Sequence, residues 1–122
     1  MVKKIMIVED NELNLKLFTD LLRNHGFDVA AVKDGREVMA ALKDFMPDMA
    51  VMDIQLPHIS GLELIGLMKA DEALRHIPVL AVTAYAGTGD ADRIINAGAA
   101  AYLSKPVPVM KFLEAVQSTI NG

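Results

Sequence analysis

Lys4-Ile5-Met6-Ile7-Val8-Glu9-Asp10, followed directly by Asn11-Glu12-Leu13-Asn14-Leu15-Lys16-Leu17-Phe18, changes its periodicity within a few residues. Residues 5–8 are apolar without a break, as expected of a strand buried on both faces. From residue 12 to residue 24 the apolar side chains instead recur at helical spacing. A buried strand that runs through two acidic residues into a helix opens a βα unit.

The same alternation continues along the chain. Strands are predicted over 4–8, 27–32, 49–52, 79–82 and 101–103, and helices over 12–24, 36–45, 62–70, 90–97 and 109–120. Gly26 and Gly98 stand where helices should stop, Pro47 and Pro78 precede strands, and Ser60 with Glu63 forms a capping-box pattern. Strict βα alternation implies a parallel sheet covered by helices on both faces, because each right-handed crossover restarts a strand in the same direction. In such α/β sheets ligands bind outside the carboxyl ends of the strands, where the winding reverses.

A chain of 122 residues, 52% hydrophobic and 23% charged, suits one soluble globular domain, expected to span 1–122 with no output domain appended. The absence of cysteine excludes disulfides, thiolate metal sites and cysteine nucleophiles, and is compatible with a cytoplasmic location. No apolar run approaches the roughly 18 residues that span a bilayer, so no membrane insertion is expected. A net charge of -4 without a basic stripe argues against nucleic acid as a partner.

The strand ends gather the chemistry. Glu9 and Asp10 follow the first predicted strand, Asp53 ends the third, Thr83 the fourth, and Lys105 follows the fifth. Taken singly, Asp10 reads equally well as a helix N-cap, Thr83 as a β-branched strand residue and Lys105 as a solvated charge. Together they bring three carboxylates to one rim, where each raises the pKa of the others unless a cation compensates, and an all-oxygen site suits Mg²⁺. With that charge offset, Asp53 is the best-placed nucleophile for phosphorus, Lys105 neutralises transferred oxygens, and the Thr83 hydroxyl can report the group's arrival.

Ile7-Val8-Glu9-Asp10, Met52-Asp53, Val82-Thr83-Ala84 and Ser104-Lys105-Pro106 resemble, in order and over the whole chain, the receiver domain of bacterial two-component response regulators. The resemblance implies a flavodoxin-like sheet of order 2-1-3-4-5. It also implies Asp53 as phosphoacceptor and Glu9, Asp10, Asp53 and the main-chain carbonyl of Gln55 as Mg²⁺ ligands. Thr83 and Tyr102 are the implied switch residues, Lys105 the phosphoryl partner, and the Lys105-Pro106 bond is expected to be cis. The implied partners are a sensor histidine kinase or phosphatase, a histidine phosphotransfer protein and a protein effector in trans. The chain would thus be a phosphoacceptor signalling domain rather than an enzyme, assisting only its own phosphoryl transfer and slow dephosphorylation. Residues 8–14 and 16–18 are further similar to single-domain cell-cycle receivers, which implies recruitment to cell poles or membrane by partners.

Competing readings fare less well. Dehalogenase-type phosphohydrolases carry a second Asp two residues after the nucleophile, where this chain has Gln55. A flavin phosphate would be repelled by the acidic loop after the first strand. A degenerate receiver stays open. Gly87-Thr88-Gly89 lacks the Lys-Ser or Lys-Thr of a P-loop and is expected to be a mobile loop or, equally, a plain turn before a helix. His25, His58 and His76 show no metal spacing and are expected at the surface. On the first helix, Asn14, Leu17, Phe18 and Leu21 are expected to face the sheet, leaving Leu15 and Leu22 at its edge as core boundary or as a docking patch for a kinase. Tyr85, two residues beyond Thr83, is a candidate for restricting the water that hydrolyses an acyl phosphate.

Overall fold

A computed structural model describes residues 2–84 and 89–122. The strands are β1 (Lys4–Val8), β2 (Asp28–Val32), β3 (Met49–Asp53), β4 (Val79–Thr83) and β5 (Ala101–Ser104). Between and after them run α1 (Glu12–Asn24), α2 (Val38–Phe45), α3 (Gly61–Ala70), α4 (Asp90–Ala97) and α5 (Val109–Asn121). The predicted second helix splits, its first turn being a 3-10 segment over Gly35–Glu37 that Asp34 caps by accepting the Arg36 N–H. All strand pairs are parallel and the order is β2-β1-β3-β4-β5, the doubly wound flavodoxin-like sheet implied by the sequence.

The uninterrupted apolar strands serve two cores at once. Met6 and Val8 of β1 and Ala50 and Met52 of β3 pack with Leu42, Leu64, Met68 and Ile94 from α2, α3 and α4. Ile5, Ile7, Met49 and Val51 point the other way, toward Leu22 of α1 and Phe112 and Val116 of α5. Phe18 and Phe112 close this second core with ring centroids 4.3 Å apart. Side chains alternate across a strand, so neither face of a central strand can be polar.

The helix ends behave largely as their residues dictate. Ser60 caps α3 by accepting the Leu62 N–H at 3.1 Å. Gly98 ends α4 with φ 119, a conformation that glycine adopts without steric cost, and packs against the stem of Lys69. Lys69 in turn donates to the carbonyls of Arg75 and Ile77, tying the end of α3 to the approach to β4. Among the described residues, no helix is long and apolar enough to cross a membrane.

Candidate phosphoacceptor site

Strand register assembles the rim. Val8 pairs with Met52, so Glu9 and Asp53 leave neighbouring strands side by side. Asp53 pairs with Val82, and Thr83 with Ser104, which brings Thr83 and Lys105 to the same edge. The connections are anchored by main-chain bonds, the Glu9 N–H to the Val32 carbonyl at 3.1 Å and the Lys105 N–H to the Thr83 carbonyl at 2.8 Å. The Lys105-Pro106 bond is cis, as the sequence resemblance implies.

Carboxylate oxygens of Glu9, Asp10 and Asp53 lie within 4.8 Å of one another. Glu9 and Asp53 are buried and Asp10 is exposed. The cap of α1 is Asn11, whose side chain accepts the Asn14 N–H at 3.0 Å, so Asp10 is not spent on capping. Lys105 Nζ donates to Asp53 Oδ2 at 2.8 Å and approaches both Glu9 oxygens at 3.3 and 3.4 Å. Burial lowers the Lys105 pKa, but its bonds to Asp53 and Glu9 outweigh this and leave the ammonium held more firmly than usual. Three carboxylates facing one ammonium remain underneutralised. Glu9 shows the strain: burial first, then its hydrogen bond to Asp53 and the Asp53 charge, push it up to about 7 against the opposing pull of Lys105 and Asn14. A cluster of hard oxygen donors with unbalanced negative charge is the donor set that a magnesium ion requires.

Gln55 and Gly61 shape the loop beneath Asp53. The Gln55 N–H donates to Asp53 Oδ1 at 3.0 Å. Gly61, at the start of α3, comes so close to β3 that a Cβ would lie 2.2 Å from the Asp53 carbonyl oxygen. Only a residue without a side chain lets the helix begin there.

The family model of the response regulator receiver domain matches residues 5–117. This chain belongs to that family. Receiver domains of this kind serve two-component signalling, and membership implies a kinase partner. The polar-differentiation response regulator DivK of Brucella ovis is 50% identical over 121 residues, covering 99% of this chain and 98% of the relative. DivK of Brucella anthropi is 49% identical over the same shares. A receiver domain of a sensor histidine kinase from Pseudomonas aeruginosa, solved with magnesium coordinated in its active site cleft, superposes with a TM-score of 0.89 at 30% identity, covering 100% of both chains. Chemotaxis response regulator CheY4 of Vibrio cholerae, 22% identical with a TM-score of 0.92 over 98% of this chain and 99% of that one, shares the fold.

Within this receiver fold the expected residues divide. Glu9, Asp10, Asp53 and Lys105 converge; Thr83 lies buried at the end of β4, and Tyr102 is partly exposed on the edge strand β5. Tyr85 lies outside the described residues. Of the two readings of Leu15 and Leu22, core boundary and docking patch, the docking one needs correction: they are 8% and 0% exposed and belong to the α1–α5 core. The inward stripe of α1 is Leu15, Phe18, Thr19 and Leu22, whose 3.6-residue spacing is disguised by a buried threonine. Leu17, expected to face the sheet, is 51% exposed and Leu13 is 81% exposed. Two participants escaped sequence reasoning. Asn14 Nδ2 donates to Glu9 Oε1 at 3.3 Å, and the side chain of Gln55 bonds to the end of β4. Asn14 had a signal, an amide among leucines on an amphipathic helix.

Proposed function

We propose that Asp53 accepts a phosphoryl group from a phosphohistidine of a sensor kinase, and that the modified domain signals through protein contacts favouring that form. The observation that carries this reading is the buried Asp53 carboxylate, held between the Lys105 ammonium and the Gln55 N–H with Glu9 and Asp10 crowding the same rim. An Asp53 oxygen attacks phosphorus while the bond from phosphorus to the imidazole nitrogen breaks; the bonding pair leaves with the histidine and an acyl phosphate forms. Held by Glu9, Asp10, Asp53 and the main-chain carbonyl of Gln55, Mg²⁺ would offset the carboxylate charge and polarise the phosphoryl oxygens. Lys105 neutralises a transferred oxygen, and Thr83 donates its hydroxyl to another. Movement of Thr83 admits the Tyr102 ring and alters the face of α4, β5 and α5, where a protein effector in trans reads it. The Tyr85 ring restricts attacking water and lengthens the life of the acyl phosphate.

The kinase, or a histidine phosphotransfer protein or phosphatase using the same approach, meets the exposed Leu13 and Leu17 of α1 beside the rim. By analogy with the DivK relatives, the domain acts in polar differentiation, as a cytoplasmic protein that partners recruit to a cell pole. The deciding experiment is incubation with phosphoramidate, with and without Mg²⁺, followed by intact-mass measurement and site mapping. Labelling is expected on Asp53 only with Mg²⁺ and is lost in Asp53→Asn. Wild-type stoichiometry in Asp53→Asn would show the acceptor to be another residue.

A further inference from the structure

Gln55 reaches three parts of the rim. Its main-chain N–H holds Asp53 Oδ1 at 3.0 Å; its side-chain Nε2 donates to Thr83 Oγ1 at 3.0 Å, and its Oε1 accepts the Ala84 N–H at 2.8 Å. One side chain from the connection between β3 and α3 thus grips both the hydroxyl at the end of β4 and the first amide beyond it. An amide can do this because it carries a donor and an acceptor on one planar group, and reversing it would set an NH₂ against the Ala84 N–H. Thr83 is 1% exposed and its bond to Gln55 is part-buried, so the amide contributes to fixing the hydroxyl's position.

We propose that Gln55 is a latch on the switch: its amide holds Thr83 and Ala84 in the arrangement of the unmodified protein, and the phosphorylated arrangement requires the latch to open. This rests on the phosphoacceptor reading of Asp53. A shift of Thr83 toward a group on Asp53 stretches the bond from Gln55 Nε2. Because the same amide holds the Ala84 N–H, releasing one end loosens the main chain leaving β4. The latch therefore biases a two-state equilibrium, and a ligand that favours the open state binds more weakly by the work of opening.

Gln55→Met keeps the length and bulk of the side chain and removes both polar ends. In the metal-free, unmodified variant, hydrogen exchange at the Ala84 amide should accelerate by about tenfold while exchange in β1 stays as in wild type. Mg²⁺ with beryllofluoride, a phosphoryl mimic, should bind roughly threefold to tenfold more tightly, because no latch remains to open. Gln55→Ala should change both quantities in the same directions, which secures the test if the methionine packs poorly. Unchanged Ala84 exchange, or unchanged or weaker mimic binding, would overturn the proposal. If wild-type protein fails to bind beryllofluoride, the phosphoacceptor reading falls, and the exchange measurement alone then decides the latch.

Discussion

Lys105 Nζ lies 2.8 Å from Asp53 Oδ2, joining groups 52 positions apart across the intervening strand β4. Lys105 is partly exposed, but both acids that it contacts are buried, so removing it leaves negative charge in the interior without its countercharge. Lys105→Met should cost the metal-free protein about 1–3 kcal/mol in urea unfolding and abolish the response to beryllofluoride. In an Asp53→Asn background the stability cost should shrink by at least about half, since one of the stranded charges is gone. Equal costs in the two backgrounds would mean that the pair is uncoupled.

Glu9 makes the metal-free protein sensitive to pH. Its pKa of about 7 in the fold exceeds the ordinary glutamate value of about 4.5, so the folded state binds the proton more tightly. The stability contributed is fully present below about 4.5 and is lost as pH rises through about 7. Thermal melts without metal should therefore fall between pH 5 and pH 8, by up to about 3 kcal/mol from this group. Glu9→Gln should flatten the profile and be the more stable protein at pH 8. A wild-type profile without that fall would place the titration elsewhere.

Leu15 and Leu17 should separate packing from recognition. Leu15→Ala opens a hole in the α1–α5 core and should cost about 2–4 kcal/mol. Leu17→Glu changes an exposed position and should alter stability by no more than about 0.5 kcal/mol. It should nonetheless slow phosphotransfer from the cognate kinase by about tenfold or more while leaving phosphoramidate labelling intact. Equal loss with both donors would remove docking from the explanation.

Gly61→Ala tests how tightly the loop is built against the acceptor. Its Cβ would sit 2.2 Å from the Asp53 carbonyl oxygen and 2.8 Å from Ile54 Cα, both backbone atoms that can move only with the strand. Destabilisation by about 1–3 kcal/mol is expected, together with slower labelling of Asp53. Wild-type stability and labelling would show that α3 can start elsewhere.

Much of this was legible in the sequence because apolar runs ending in carboxylates report both a strand and where it stops. Helices α1 and α4 begin and end where their apolar spacing and flanking glycines place them. The inward face of α1 was misread because Thr19 occupies a buried position that its hydroxyl made look external, rotating the inferred stripe by about one residue. The Gln55 side chain was invisible for a different reason. An amide in a loop declares its partners only when a second strand is brought beside it, and Thr83 lies 28 positions away. Local chemistry can be read from neighbours in sequence; a bridge across the sheet cannot.

The register of β3 has a further consequence. Met49 and Val51 serve one core, Ala50 and Met52 the other, and the same four residues deliver Asp53 to Lys105. A slip of one position would turn each of these side chains into the wrong core and carry the acceptor about 3.3 Å along the strand, out of reach of the ammonium. Misthreaded molecules would therefore be both unstable and inert. Folding in this domain acts as its own proofreader: a chain sound enough to persist already has its acceptor in place.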